Sequence, residues 1–230
     1  MSFDPGSRSK LTHRDLGRFA DDTLFHRVAR AVCESECLAR KELYEAWEVA
    51  RRTRRRFRGG RVIDLACGHG LLAQILLLLD DTSPAALAVD TRLPQSAYRL
   101  RECLTLTWPR LAGRVDLVQG TLTSVELRAS DLLVSCHACG SLTDAVLSRA
   151  IAAGARVAVL PCCHETVSGD LGGLGGWLDP GLAIDVTRAA RLRAHGFSVH
   201  TQTIPPTITP KNRLLLAEPG DAGEGRHGNN

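Results

Sequence analysis

The segment Val62-Ile63-Asp64-Leu65-Ala66-Cys67-Gly68-His69-Gly70 constrains this chain more than any other. Four apolar or β-favouring residues run into a turn with two glycines, and the apolar stretch Leu71–Leu79 follows at once. Strand, glycine turn, buried helix is the opening of a parallel α/β sheet, in which ligands bind beyond the carboxyl ends of the strands. A second apolar run, Ala85–Val89, ends in Asp90, 20 residues after Gly70. A carboxylate at that strand end is placed to accept both hydroxyls of a ribose.

The rest of the chain repeats the pattern. Strands are expected at Arg61–Ala66, Ala85–Val89, Val115–Val118, Asp131–Cys136, Arg156–Leu160, Ser198–Ile204 and Arg213–Ala217. Helices are expected at about Leu71–Leu79, Gln95–Leu111, Leu142–Ala153 and Leu182–His195. No helix separates the last two strands, so they form an antiparallel pair. The fold class is therefore α/β: a Rossmann-like, seven-stranded, mostly parallel sheet with a reversed edge strand. Before Gly59-Gly60, apolar residues recur at helical spacing from Leu16 to about Arg56, which predicts a helical N-terminal extension over residues 11–58. The main domain is expected over 59–218, with loose tails at 1–10 and 219–230.

Composition narrows the class. With 44% hydrophobic and 23% charged residues, the chain of 230 residues buries one sizeable core. Residues 1–10 carry no apolar stretch, and the nine-residue run Leu71–Leu79 falls short of the about 20 residues that span a bilayer. A soluble cytoplasmic protein with no membrane partner is expected, its eight cysteines reduced. The net charge of +4 is too small to imply a nucleic-acid partner by itself. Arg51, Arg52, Arg54, Arg55, Arg56 and Arg58 are concentrated in eight residues. They read as a solvated helix end or as a phosphate-binding rim for RNA.

Two nucleoside cofactors fit the glycine turn. A dinucleotide needs Gly-x-Gly-x-x-Gly, and no glycine stands three residues beyond Gly70. S-adenosylmethionine has no pyrophosphate, and its ammonium and ribose suit the acids Asp64 and Asp90. The cofactor-binding set is then Asp64, Ala66, Cys67, Gly68 and Gly70 at the methionine end, Asp90 and Thr91 at the ribose, and Gly120 and Thr121 at the adenine edge.

From Arg61 to about Glu218 the chain resembles a class I S-adenosylmethionine-dependent methyltransferase. More narrowly it is similar to the ribosomal RNA adenine dimethylase domain-containing proteins and the methyltransferase-like proteins related to them. The further segments that carry this are His137-Ala138-Cys139-Gly140 with Thr143-Asp144, Leu160-Pro161-Cys162-Cys163-His164, and Thr209-Pro210-Lys211-Asn212-Arg213. Pro161–His164 also resembles an element of tRNA 2′-O-methyltransferases, and Arg40-Lys41-Glu42-Leu43-Tyr44-Glu45 a Lys-Lys-x-x-Glu segment of these relatives. Ala66 departs from the family, many members of which have glycine there. The resemblance implies RNA as the methyl acceptor; a protein acceptor, or a non-catalytic assembly factor that binds cofactor or metal, is the alternative.

His137, Cys139, Cys162 and His164 follow the fourth and fifth strands and are the candidate catalytic residues. His137 is the side chain titrating nearest neutrality and suits a general base. The same Cys/His groups could instead line a tight pocket or bind zinc, but only Cys136 and Cys139 have Cys-x-x-Cys spacing, so no metal is assigned. Ser135-Cys136-His137-Ala138 lacks the Asn/Asp-Pro-Pro-Tyr/Phe pattern of enzymes that methylate adenine nitrogens, so adenine dimethylation is not carried over.

Overall fold

A computed structural model describes residues 3–136, 138–161, 164 and 169–220. Seven strands, β1 (Val62–Leu65), β2 (Ala86–Asp90), β3 (Val115–Gln119), β4 (Leu132–Ser135), β5 (Arg156–Val159), β6 (Phe197–Thr203) and β7 (Arg213–Pro219), form one sheet. Its order is β3-β2-β1-β4-β5-β7-β6. β1 to β5 pair in parallel, and β7 runs antiparallel to both β5 and β6. The reversed strand thus lies one place in from the edge, which β6 occupies. Strand order reverses between β1 and β4, and the crevice beyond their carboxyl ends is the ligand position of such sheets.

Alternating strand residues feed two cores. Ile63, Leu65, Leu133, Val157 and Val159 pack with Val146, Leu147 and Ala150 of α5 (Ser141–Ala153) and Leu192 of α6 (Pro180–Ala194). Val62, Ala86, Ala88, Leu132 and Val134 face the other side. There they meet α3 (Leu71–Leu79) and α4 (Gln95–Thr107), backed by α1 (Leu24–Ser35) and α2 (Arg40–Arg56). All residues of α3 but Leu79 are buried, which is why its sequence is apolar all round. α2 buries only the stripe Leu43, Ala46, Val49, Ala50 and Thr53 with Glu45 and Arg54.

The loose N-terminal tail expected at 1–10 is not found over residues 3–10. Lys10 bridges Ala39, and Lys41 and Arg40 donate backbone N–H bonds to Ser7 O and Ser9 O, both 3.0 Å. The Phe3 ring meets Phe19 edge-on, and the Arg40 guanidinium sits 3.6 Å from the Phe3 ring centre. A single aromatic side chain with a cation over it anchors a segment that composition alone marks as loose. At the other end, β7 continues through Pro219, and Gly220 N–H bonds Gly196 O; residues 221–230 lie outside the described residues.

Candidate active site

The turn after β1 is held open by left-handed backbone at Ala66 (φ 55°), Gly68 (φ 57°) and Gly70 (φ 69°). At Ala66 this geometry costs about 1–2 kcal/mol that glycine would avoid. A Cβ on Gly70 would lie 3.0 Å from Leu117 Cδ2 and 3.1 Å from the Ala88 Cβ, so a side chain there is crowded as well as strained by φ. The turn is tied to the neighbouring strand by Cys67 N–H to Val89 O (3.1 Å) and Gly68 N–H to Asp90 Oδ2 (2.9 Å).

Asp90 ends β2 with Oδ1 accepting from Arg92 N–H (3.1 Å), while its carbonyl accepts from Gly120 N–H (2.9 Å). Asp90, Thr91, the glycine turn and Gly120-Thr121 are thereby gathered at adjacent strand ends. Oδ1 also accepts from the Thr91 hydroxyl (3.5 Å), and Oδ2 keeps a lone pair beyond the Gly68 bond. Thr121 opens a 3-10 turn (Leu122–Ser124) and shares a hydroxyl contact with Thr123 (2.9 Å).

Asp64 is 1% exposed. Among the described residues its carboxylate takes one hydrogen bond, from Ala73 N–H to Oδ2 at 3.3 Å. Burial, with the negative charge of Asp90 adding to it, pushes Asp64 up to about 8 against the pull of that bond. Burial likewise pushes the Cys67 thiol up, so it is no nucleophile near neutrality. A buried carboxyl with one engaged oxygen, at the end of β1 beside the glycine turn, can accept from a small cation.

The loops after β4 and β5 are joined through α6. His137 and Cys162 lie outside the described residues. Cys136 is buried and Cys139 exposed. Ser135 Oγ accepts from Ala138 N–H (3.1 Å), and Thr143 Oγ1 donates to Ala138 O. His164, its side chain 2% exposed, sets Nε2 2.8 Å from Asp185 Oδ1, while its buried Nδ1 has no hydrogen-bond partner among the described residues. Arg213 Nε donates to Asp185 Oδ2 (2.6 Å). Arg188 donates to Asp185, to Asp144 and to the Gly140 carbonyl (3.0 Å). Burial lowers the Arg188 pKa, but hydrogen bonds and charge from Asp144 and Asp185 outweigh this and raise it overall. Segments 139–144, 161–164 and 209–213, far apart in sequence, converge on two α6 side chains. Asp185 and Arg188 carry no sequence motif of their own; an acid and an arginine three apart read as an ordinary helix-surface pair.

Within the arginine run, Arg55, Arg56 and Arg58 are exposed, as a solvated helix end requires, and Arg54 departs from that reading. Arg54 is 2% exposed and reaches Leu76 O (3.1 Å), Ser83 Oγ (2.7 Å) and Asp80 Oδ2 (3.1 Å). Burial lowers its pKa to about 10, which leaves it charged at neutrality. Arg51 and Arg52 pair with Glu48, Arg56 with Glu218, and Arg58 contacts Asp80.

A sheet in this order, with a glycine turn after β1, an acid ending β2 and β7 reversed, defines a class I methyltransferase. The model of the methyltransferase-domain family matches residues 41–170, more than half of the chain, and the chain belongs to that family. Its cofactor is S-adenosylmethionine, whose ammonium Asp64 would hold and whose ribose hydroxyls Asp90 would hold. No match is found among curated proteins. An O-methyltransferase family protein from Burkholderia thailandensis is similar in structure, at TM-score 0.51 and 19% identity, covering 91% of this chain and 64% of its own. A candidate O-methyltransferase from Nostoc punctiforme gives 0.52 at 16% identity, with coverage of 89% and 67%. A protein of the NADB-Rossmann superfamily from Streptococcus agalactiae gives 0.50 at 16%, with 79% and 70%. At these identities the likeness concerns the fold alone. No helix among the described residues is long and apolar enough to cross a membrane.

Proposed function

We propose that the protein transfers the methyl group of S-adenosylmethionine to a hydroxyl oxygen of RNA. The observation that carries this reading is the His164–Asp185 pair. A carboxylate only accepts, so Asp185 fixes the hydrogen on Nε2 and leaves the lone pair on Nδ1. The cofactor supplies an electrophilic methyl on a sulfonium. Transfer would break the sulfonium S–CH3 bond, with the neutral thioether leaving, while Nδ1 of His164 would take the acceptor hydroxyl's proton and Asp185 would stabilise the imidazolium. Arg188 and Arg213 hold Asp185 from two further sides, which keeps the imidazole oriented.

RNA as acceptor is supported by the resemblance of Pro161–His164 to tRNA 2′-O-methyltransferases and of the wider domain to ribosomal RNA adenine dimethylase domain-containing proteins. A depression of about 440 Å³ beside the pair, lined by Pro161, Asp185, Gln202 and Arg213 among others, is within the range that holds a nucleotide-sized group. With five members of the arginine run paired to carboxylates, contact with phosphate falls chiefly to exposed Arg55 and to other surface arginines. Incubation with methyl-labelled cofactor and fractionated RNA tests the proposal. Label in alkali-resistant dinucleotides supports a ribose hydroxyl. Label confined to protein, to a base, or to no fraction overturns it.

A further inference from the structure

The helical extension ahead of the sheet reaches the cofactor end of the fold. Glu42, in the first turn of α2, lines one small cavity together with Asp64, Cys67, His69 and Cys136. That cavity opens at the carboxyl ends of β1 and β4 and is about 10 Å³, close to what one water-sized group requires. An ammonium group is of that size. Of the two Glu42 oxygens, Oε2 accepts from the Ala39 N–H (3.1 Å), which orients the side chain at the start of α2. Asp64, almost wholly buried, turns a carboxylate with one engaged oxygen toward the same space. Among the described lining residues there is no lysine or arginine to neutralise the two acids. His69 Nε2 already faces Ser96 Oγ at 3.0 Å.

We propose that Glu42 is a ligand of the cofactor's methionine ammonium, completing with Asp64 a two-carboxylate clamp that the extension, and not the sheet, supplies. This rests on the cofactor assignment above. Three N–H donors of an ammonium need three acceptors. Asp64 and Glu42 each bring a carboxylate oxygen not used in their backbone bonds, and a buried cation gains most from acceptors that are themselves charged. The consequence is that residues 40–45 belong to the binding site and are more than a helical support for the sheet.

The test is calorimetric binding of S-adenosylhomocysteine and of 5′-methylthioadenosine, which lacks the amino-acid end, to wild type and Glu42→Gln. Glutamine keeps the acceptor for Ala39 N–H, so that bond survives while the charge is lost. Expected is a tenfold or greater loss for S-adenosylhomocysteine, with methylthioadenosine unchanged within twofold and an unchanged melting temperature. Equal losses for both ligands, or no loss for either, overturn the clamp. If the wild-type protein binds neither nucleoside, the cofactor assignment fails and the clamp with it. Wild-type binding of both with an indifferent Glu42→Gln removes the clamp alone. Should Glu42→Gln lower the melting temperature, Glu42→Asp, which keeps the charge but shortens the reach, must show the same ligand selectivity for the clamp to stand.

Discussion

Cofactor binding should release a proton from Asp64. Burial favours the neutral acid and raises its pKa to about 8, so near pH 7 the native protein without cofactor holds Asp64 mostly protonated. An ammonium in the cavity favours the ionised form. With a pKa of about 8, roughly one molecule in ten is ionised at pH 7, so ionising Asp64 takes about 1.4 kcal/mol out of binding there. The apparent Kd of S-adenosylhomocysteine should therefore fall about ninefold from pH 6 to 7, about fivefold from pH 7 to 8, and then level off. At pH 7 about 0.9 proton should be released per ligand bound. Titration calorimetry in phosphate and in Tris, whose ionisation enthalpies differ, reads the released protons directly. Glu42, Asp90, Cys67, His69 and Cys136 are the other titratable groups around Asp64 among the described residues, and the Asp64→Asn variant separates it from them by losing both the slope and the release. Affinity independent of pH in the wild type, with no difference between buffers, would refute the claim that a buried neutral acid meets the cation. The sign for stability follows from the same shift. A raised carboxyl pKa means the native state binds more protons than the unfolded chain, so the cofactor-free fold loses stability as pH rises from about 4 to 8.

Further outcomes follow from single contacts. Arg54→Ala leaves Asp80 buried without its closest cation and should lower unfolding free energy by about 3–5 kcal/mol in urea titrations, whereas Arg55→Ala on the exposed face should stay within about 0.5 kcal/mol. A side chain on Gly70 is strained by φ and crowded by Leu117 and Ala88, so Gly70→Ala should cost about 2 kcal/mol or more in thermal unfolding and weaken S-adenosylhomocysteine binding. Asp185→Asn should cut turnover on the accepted RNA by about 10²–10⁴ while cofactor affinity moves no more than a few fold; unchanged turnover would remove His164 from proton transfer.

The sheet is legible in the sequence because its signals are local. The parallel strands are short, mostly apolar runs, and Leu71–Leu79 has one structure open to it once the preceding turn is fixed. Residues 3–10 show where that reasoning stops. Their composition is that of a tail, and what orders them is Phe3 meeting Phe19 and Arg40, partners 16 and 37 positions away that no window of sequence connects. At Arg54 the reading of the arginine run fails in the same way, since charge density marks a surface. Arg54 stands on the buried stripe of α2 and finds Asp80, at the end of α3, within a salt-bridge distance that only the packing of the two helices provides.

The site divides along the same line. Asp64, Gly68, Gly70, Asp90 and Gly120 are readable because the chemistry that places them is backbone chemistry: positive φ, strand ends, and N–H groups that need acceptors. Asp185, Arg188 and Glu42 are not readable, because each is an ordinary helical side chain until a distant loop arrives. Glu42 in particular has a sufficient local explanation as the acceptor for the Ala39 N–H at the start of α2, and that explanation uses one of its two oxygens. The second oxygen acquires a purpose only when α2 packs on α3 and brings it to the cavity at Asp64. A residue can thus satisfy a helix rule and serve a binding site with the same carboxylate, and the local role conceals the other. That is why Glu42→Gln, which separates the two roles by keeping the acceptor for Ala39 N–H and removing the charge, is the informative substitution in this fold.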